Sequence, residues 1–287
     1  MAGAVGPVGF AGPTGAADVL VASDLDRTLI YSDRALALSG PDHLAPRLLC
    51  VELLDGRPLS YLTERAAALL AELGRRARFT PATTRTVEQY RRVNLPGPRP
   101  TYAICANGGQ LLVDDRPDPD WRHEITARIA AGSAPLDEVV HRLALSADPE
   151  WTHKRRIADE RFVYLVVERD RLPGGWLTEL TGWCAERGWR ISLQGRKVYA
   201  VPQPLTKSAA LAEAVRRSGA GTVLAAGDSL LDADLLLAAD AGWRPGHGEL
   251  ADSGWTAPGV TALPEVGVTA GEEIVRRFLA AVPAPSV

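Results

Sequence analysis

The chain has 287 residues, 46% of them hydrophobic, so it can bury a substantial core and fold alone. A net charge of -3 gives no overall electrostatic reason to bind nucleic acid or an anionic membrane surface. Its three cysteines have neither disulfide nor zinc-site spacing, which favours the reducing interior of a cell, and we expect a cytoplasmic protein.

The first 17 residues are interrupted by glycine and proline and lack the positive start of a secretory signal. We expect a disordered tail there, with no segment that crosses a bilayer. The apolar run at residues 19–23 then predicts a buried parallel strand. Asp24 would lie at the carboxyl end of this strand.

Residues 48–63 contain two extended runs around Asp55 and Gly56, a pattern typical of a β-hairpin. Such a hairpin could act as a flap over a site. An alanine- and leucine-rich helix follows, for which Thr63 or Ser60 is the candidate N-cap.

The chain then returns to the predicted sheet. Residues 78–83 indicate a strand, residues 86–93 a helix, and residues 101–109 a further strand that stops at two glycines. This alternation of strands and helices is typical of a parallel sheet covered by helices.

Tryptophan, arginine and proline become frequent from about residue 113 to residue 197, and helical and extended patterns alternate there. This change predicts a small α/β cap domain over 113–197, inserted into a core formed by residues 18–112 and 198–287. The predicted fold class is α/β, with a Rossmann-like, doubly wound parallel sheet as its core.

Four aspartates follow predicted strands, Asp24 and Asp26 after the first and Asp228 and Asp232 after the strand near residue 224. Ligands of such a sheet bind beyond the carboxyl ends of its strands, so we expect the four carboxylates to converge. Their mutual repulsion requires a cation and a positive side chain, for which we predict Mg²⁺ and Lys207. Carboxylate oxygens suit magnesium, and no sulfur or imidazole cluster for zinc is evident.

The segments DLDRT (24–28), ATTR (82–85) and GDSLLD (227–232), with Lys207 opening a helix, resemble the ordered motifs of the haloacid dehalogenase (HAD) superfamily. ICANGGQLLVDD is similar to the turn that leads into the cap in its Cof-like, sugar-phosphatase-like subclass IIB, which has a C2-type cap. The resemblance spans roughly residues 18–280. It implies a magnesium-dependent phosphatase, a phosphoric monoester hydrolase, acting on a small phosphorylated substrate.

The resemblance also implies roles for individual residues. Asp24 would be the nucleophile that forms an aspartyl-phosphate, and Asp26 would act as acid and then base. Thr83 would bind the transferring phosphoryl group, and Lys207 would neutralise its charge. The implied catalytic residues are Asp24, Asp26, Thr83 and Lys207. The implied metal ligands are Asp24, Asp26 through its backbone carbonyl, Asp228 and Asp232. The alternative role of Asp232 is to orient the metal's water shell or Lys207.

The candidate substrate-binding residues are Thr84, Arg85, Asn107, Gly108 and Arg196. Several of these candidates have a structural interpretation beside the functional one. Thr80 and Thr84 compete with Thr83 as the strand-end hydroxyl, and Asn-Gly is primarily a turn signal. The basic cap segments at 153–156 and 196–197 could recognise a second anionic group or form a solvated face.

Two positions depart from the family pattern: Arg27 replaces the usual glycine, and Leu231 replaces the usual asparagine. His247, in an unusual loop after the last motif, is interpreted as structural because no second histidine lies at ligand spacing. The leading prediction is hydrolysis of a sugar phosphate, nucleotide or related metabolite, with no indication of an oligomeric state. A phosphomutase and a non-catalytic ligand-binding relative stay open as alternatives.

Overall fold

The structure, a computed structural model, describes residues 18–284, and the predicted tail at 1–17 lies outside these residues. The first core segment contains β1 (Val19–Ser23), β2 (Leu48–Leu54), β3 (Arg57–Thr63), α1 (Glu64–Arg76), β4 (Arg78–Pro81), α2 (Val87–Arg91), β5 (Tyr102–Cys105), β6 (Gln110–Val113) and β7 (Arg116–Pro117). The middle of the chain contains α3 (Pro119–Gly132), α4 (Leu136–Ser146), β8 (Thr152–Ala158), β9 (Phe162–Val167), α5 (Trp176–Ala185), β10 (Trp189–Gln194) and β11 (Lys197–Pro202). The last segment contains α6 (Lys207–Ser218), β12 (Thr222–Ala226), α7 (Ala233–Leu237), β13 (Ala241–Arg244), α8 (Glu249–Asp252), β14 (Val260–Ala262) and α9 (Val268–Ala281).

The core is a parallel sheet with strand order β14-β13-β12-β1-β4. β1 is buried on both faces, which explains its uninterrupted apolar sequence. Leu20 and Ala22 pack in the cluster that contains α6 and α7, whereas Val19 and Val21 pack in the cluster that contains α1 and α9. The predicted doubly wound α/β core is therefore confirmed.

The predicted hairpin is also confirmed, as β2 and β3, which pair in antiparallel fashion. Asp55 and Gly56 form its turn with φ of 52° and 72°, the left-handed values that two-residue hairpin turns require. Of the two candidate caps, Thr63 is the N-cap of α1, and its hydroxyl accepts a hydrogen bond from the Ala66 N–H at 2.9 Å. We call this hairpin, residues 48–63, the flap.

A second, antiparallel sheet with strand order β10-β11-β9-β8 lies in the middle of the chain. β11 pairs with both β10 and β9, so this sheet includes a strand that extends past the expected cap end at residue 197. The β5-β6-β7 sheet is joined to β4 by a parallel bridge between Ala82 and Ile104. We therefore propose that the cap runs from about residue 118 to residue 203.

The segment before the proposed cap contacts the segment that follows it. Gly108 has a φ of 98°, and a Cβ there would lie 2.1 Å from the Thr206 carbonyl oxygen, so only glycine fits. The Asn107 amide donates to the Leu205 carbonyl at 2.9 Å. These contacts fix the segment that leads into Lys207.

No helix within residues 18–284 combines the length and the apolar character needed to cross a membrane.

Candidate active site

Asp24 follows β1 directly, and its N–H donates to the Ala226 carbonyl of β12 at 2.9 Å. The chain then turns tightly, because the Ile30 N–H donates to Leu25 O and the Arg27 N–H donates to Ile30 O. Only 5% of Asp24 is exposed. The carboxylate is thus held at the carboxyl end of the central strand, at the base of the crevice.

Lys207, the first residue of α6, is fully buried and bridges two aspartates. Its Nζ donates to Asp24 Oδ1 at 2.6 Å and to Asp232 Oδ1 at 2.5 Å. Burial alone would lower the pKa of the ammonium, but the charges of Asp232 and Asp24 outweigh it and raise the pKa. The second Asp232 oxygen accepts hydrogen bonds from the Ser229 N–H and hydroxyl, so both of its oxygens are engaged.

One carboxylate oxygen from each of Asp24, Asp228 and Asp232 lies within 4.8 Å of the other two. Burial and the neighbouring carboxylates raise the pKa of Asp24 to about 7, against the opposing effect of Lys207. The pKa of Asp228 is also raised, mainly by burial and by the charge of Asp24. These carboxyl groups need a positive charge nearby in order to ionise together, and their hard oxygens are closely spaced. Both properties fit a divalent cation such as Mg²⁺.

Arg27 already supplies part of this counter-charge. Its Nε donates to Asp228 Oδ2 at 3.2 Å, and its backbone φ is 63°. The replacement of glycine thus places a guanidinium on one of the predicted metal ligands.

Asp26 is not part of the cluster of three carboxylates, and it forms a bidentate ion pair with Arg85. Nε and Nη2 of Arg85 lie 2.7 and 2.8 Å from the two Asp26 oxygens. Burial would raise the pKa of Asp26, but the Arg85 charge and hydrogen bonds lower it to about 2. In this arrangement Asp26 has no proton to donate at neutral pH.

Glu52 of the flap extends this ion pair. It is fully buried and accepts from Arg85 Nη1 at 2.8 Å, from Arg92 Nε at 3.3 Å and from the Ser60 hydroxyl at 2.6 Å. Burial would raise its pKa, yet the hydrogen bonds from Arg85 and Ser60 lower it. Sequence reasoning missed Glu52, although an acidic residue within an apolar hairpin strand was a visible signal.

The three candidate threonines differ in their surroundings. The Thr83 hydroxyl is buried and accepts from the Arg85 N–H at 3.1 Å. Thr84 lines the cavity described below. The Thr80 hydroxyl is buried and has no hydrogen-bond partner among residues 18–284. The role of Thr83 in binding a phosphoryl group stays a prediction.

Asn107 and Gly108 form the turn between β5 and β6, ahead of the proposed cap. Asn107 has a left-handed φ of 56° and is completely buried. Its side-chain oxygen has no partner within the described part of the chain, whereas its amide holds the segment before Lys207. The geometry supports the structural interpretation of this turn.

His247 has a structural role that explains its unusual loop. The Gly267 N–H donates to its Nδ1 at 3.1 Å, so Nε2 carries the hydrogen and donates to the Arg27 carbonyl at 2.7 Å. Burial lowers the pKa of the ring and favours this neutral form. His247 therefore braces the loop that follows Asp24, as its structural interpretation anticipated.

A cavity of about 420 Å³ lies beside these residues, between the core, the flap and the cap. Asp26, Thr84 and Arg85 line its core side, and Arg196 lines its cap side. Residues 153–156 are exposed on β8 and do not line it. Of the two basic cap segments, the structure thus brings only the one at 196–197 to the site.

No protein-family model matches the sequence, and no curated protein matches it. Solved structures do match. A sucrose-phosphatase from Synechocystis, solved with sucrose and phosphate, has a TM-score of 0.59 at 15% identity, over 91% of this chain and 97% of that chain. A Thermoplasma acidophilum protein has a TM-score of 0.58 at 11% identity, over 91% and 98% of the two chains. A sugar phosphatase of HAD subclass IIB has a TM-score of 0.55 at 14% identity, over 92% and 98%.

At these identities the likeness is one of fold, and it extends over nearly the whole length of both chains. The parallel core sheet and the separate antiparallel sheet agree with it. The chain therefore has the fold of haloacid dehalogenase superfamily phosphatases of the capped, subclass IIB kind, as its motifs predicted.

Proposed function

We propose that the protein is a magnesium-dependent phosphatase that hydrolyses a small phosphorylated metabolite through an aspartyl-phosphate on Asp24. The observation that carries the proposal is the buried Lys207 bridge between Asp24 and Asp232, with Asp228 beside it. A buried ammonium among three carboxylates is costly for a purely structural role, because each ion must be desolvated. Perturbed ionisable groups in a crevice are typical of a catalytic site.

In this mechanism Lys207 holds the Asp24 carboxylate oriented and offers positive charge to the incoming phosphoryl group. Asp24 attacks phosphorus, the bond to the leaving oxygen breaks, and water later cleaves the aspartyl-phosphate. Asp24, Asp228 and the Asp26 backbone carbonyl would hold Mg²⁺, which would supply charge neutralisation for the phosphate oxygens. We assign Asp232 to positioning Lys207, because one of its oxygens accepts a hydrogen bond from Lys207 and the other accepts from Ser229.

Asp26 would protonate the leaving oxygen and then take a proton from the attacking water. This role requires the pair with Arg85 to loosen, because the pair holds the pKa of Asp26 at about 2. An anionic substrate that drew the Arg85 guanidinium towards itself would have this effect. Arg85 and Thr84 line the cavity and are proposed to contact the substrate there.

Support for a small phosphorylated substrate comes from the cavity and from the structural neighbours, which include enzymes named for sucrose and sugar phosphates. The cap encloses the cavity from one side, so small molecules fit better than polymers. We propose that the protein is a soluble enzyme that acts on such a substrate in the cytoplasm.

The test is phosphate release by the purified full chain, with Mg²⁺, from a panel of phosphorylated metabolites. We expect release that EDTA abolishes and that Asp24→Asn lowers by a factor on the order of 10³ or more, because the nucleophile is lost. Asp137→Asn, a change at an exposed cap aspartate, is the matched control. Normal turnover in Asp24→Asn would refute the assignment, and ligand binding without any release would favour the non-catalytic alternative.

A further inference from the structure

The charge of the cavity is strongly one-sided. Among the described residues, Asp26 is the one carboxylate that lines it, whereas five cationic side chains do so. These cations come from the loops after β1 and β4 and from the turn before β11; they are Arg27, Arg34, Arg85, Arg196 and Lys197. A single phosphoryl group next to a divalent ion does not require so many.

Two of the five cations are already neutralised by acids of the candidate active site. Arg27 pairs with Asp228, and Arg85 pairs with Asp26 and with a buried glutamate of the flap. Within residues 18–284, no carboxylate oxygen lies within 4.0 Å of the charged nitrogens of Arg34 or Lys197. A surplus of positive charge therefore remains in the cavity.

Arg196 has only weak partners: its Nη2 lies 3.9 Å from a Glu168 oxygen, and its Nε donates to the Val167 carbonyl at 3.4 Å. Its side chain is 43% exposed. It opens towards the same cavity as Lys197, its neighbour at the start of β11. The preceding turn at Gly195 lies over the core, because a Cβ there would stand 3.9 Å from Arg27 Nη1. This turn thus brings the two cap cations above the catalytic loop.

Arg34 belongs to the core side of the cavity. It lies in the short 3-10 helical turn that follows β1 and lines the cavity together with Ser32 and Ala35. Cations on the cap side and on the core side therefore face a shared space of about 420 Å³. Such an arrangement can enclose an anionic group between them.

We propose that Arg34, Arg196 and Lys197 form a subsite for a second anionic group, so that the substrate is a phosphate ester that also carries a carboxylate or another acid. This inference rests on the proposed phosphatase function. A neutral sugar offers hydroxyl donors, and among the described residues Asp26, already paired with Arg85, is the one carboxylate in the cavity to accept from them. The substrate class therefore differs from the sucrose phosphate of the Synechocystis neighbour's name.

Two probe esters of similar size separate the possibilities: 3-phosphoglycerate, which carries a carboxylate, and glycerol 3-phosphate, which carries a hydroxymethyl group instead. With the full chain and Mg²⁺, we expect kcat/KM to be at least about tenfold higher for 3-phosphoglycerate, because its carboxylate accepts charge-assisted hydrogen bonds from the subsite. The preference should shrink at high ionic strength, because salt screens partly exposed charges.

Lys197→Met and Arg34→Gln should each reduce this preference towards one. The chain has three lysines, and Lys154 lies exposed on β8 of the same cap sheet, outside the cavity. Lys154→Met is therefore a matched control that should leave the preference unchanged. An equal efficiency for the two esters in the unaltered protein would overturn the subsite while leaving the phosphatase proposal intact.

Calorimetric binding to the Asp24→Asn variant tests the subsite even if the protein is not a phosphatase, because binding requires no turnover. Tighter binding of 3-phosphoglycerate than of glycerol 3-phosphate, lost in Asp24→Asn combined with Lys197→Met, would support the subsite even if hydrolysis were never seen. Equal binding of the two esters, or no binding of either, would overturn it.

Discussion

Arg27 lies in the loop after Asp24 with a backbone φ of 63°, a conformation that glycine adopts without strain. Its Nε contacts Asp228 Oδ2 at 3.2 Å, so it neutralises a carboxylate that we propose as a metal ligand. A guanidinium and a divalent ion cannot both take the same lone pair. Metal binding in this chain must therefore displace Arg27 or share Asp228 with it.

Replacing Arg27 with glycine should tighten Mg²⁺ binding by about tenfold, because one charge-assisted hydrogen bond to Asp228 no longer competes. The measurement is the calorimetric Kd for Mg²⁺ in the full chain without substrate, so it does not depend on activity. Arg99→Gln, a change at an exposed arginine away from the carboxylates, is the control. Unchanged or weaker Mg²⁺ binding in Arg27→Gly would show that Arg27 does not compete for the site.

At the residue scale, the proximity of Asp24 and Asp228 was predictable because of where strands end. Asp24 and Asp228 follow β1 and β12, which are adjacent parallel strands, so their proximity follows from the sheet order alone. The contacts that Glu52 and His247 make were not predictable. Their partners lie 33 and 220 positions away in the sequence, and no local pattern specifies which distant side chain or carbonyl they meet.

At the scale of elements, the flap is attached to the site by charge. Its Glu52 is fully buried between Arg85 and Arg92, so it links β2 to the ion pair at Asp26. The turn at Asp55 and Gly56 and the antiparallel pairing were predictable, because turn chemistry and extended runs are local signals. Which face of the hairpin meets the core depends on long-range packing, which the local sequence does not encode.

Glu52→Gln should lower the free energy of unfolding by about 3 kcal/mol at pH 7, because the buried guanidiniums lose their counter-charge. The pKa of Glu52 is lowered in the folded chain, so its contribution is present above the unfolded value of about 4.3 and is lost as the pH falls below it. The difference from the unaltered protein should therefore shrink in strongly acidic buffer. Urea unfolding at several pH values measures it.

Glu88→Gln serves as the control for this change, since Glu88 is exposed in the first turn of α2. Its effect should stay within about 0.5 kcal/mol, as is usual for surface substitutions. A Glu52→Gln variant as stable as this control would mean that the buried ion network contributes no stability to the folded chain.

For the molecule as a whole, Glu249 is the clearest polar link between core and cap. From α8 it accepts hydrogen bonds from the Ser192 hydroxyl at 2.5 Å and the Leu193 N–H at 2.8 Å, both in β10. It also accepts from the Leu230 N–H at 3.0 Å, in the loop that follows Asp228. One carboxylate thus ties the cap sheet to the loop that carries a proposed metal ligand.

Glu249→Ala should speed amide hydrogen exchange at Leu193 and Leu230, because both N–H groups lose their acceptor. Mass spectrometry of the ligand-free full chain measures this exchange. Asp252→Ala is the matched change on the same helix, and it removes an exposed core–cap ion pair with Arg169 that should matter less. Equal protection in Glu249→Ala and the unaltered chain would show that the cap is held by other contacts.

The junction at Asn107 and Gly108 gives the inserted domain a particular kind of independence. Residues 107–108, which precede the inserted domain, contact residues 205–206, which follow it. The two ends of the inserted segment therefore lie close together. Another inserted domain whose two ends lie equally close would leave the strand order of the parallel core sheet unchanged. Exchange of the inserted domain would then alter the cap side of the cavity, at Arg196 and Lys197, while its core side at Arg34 and Arg85 stayed in place.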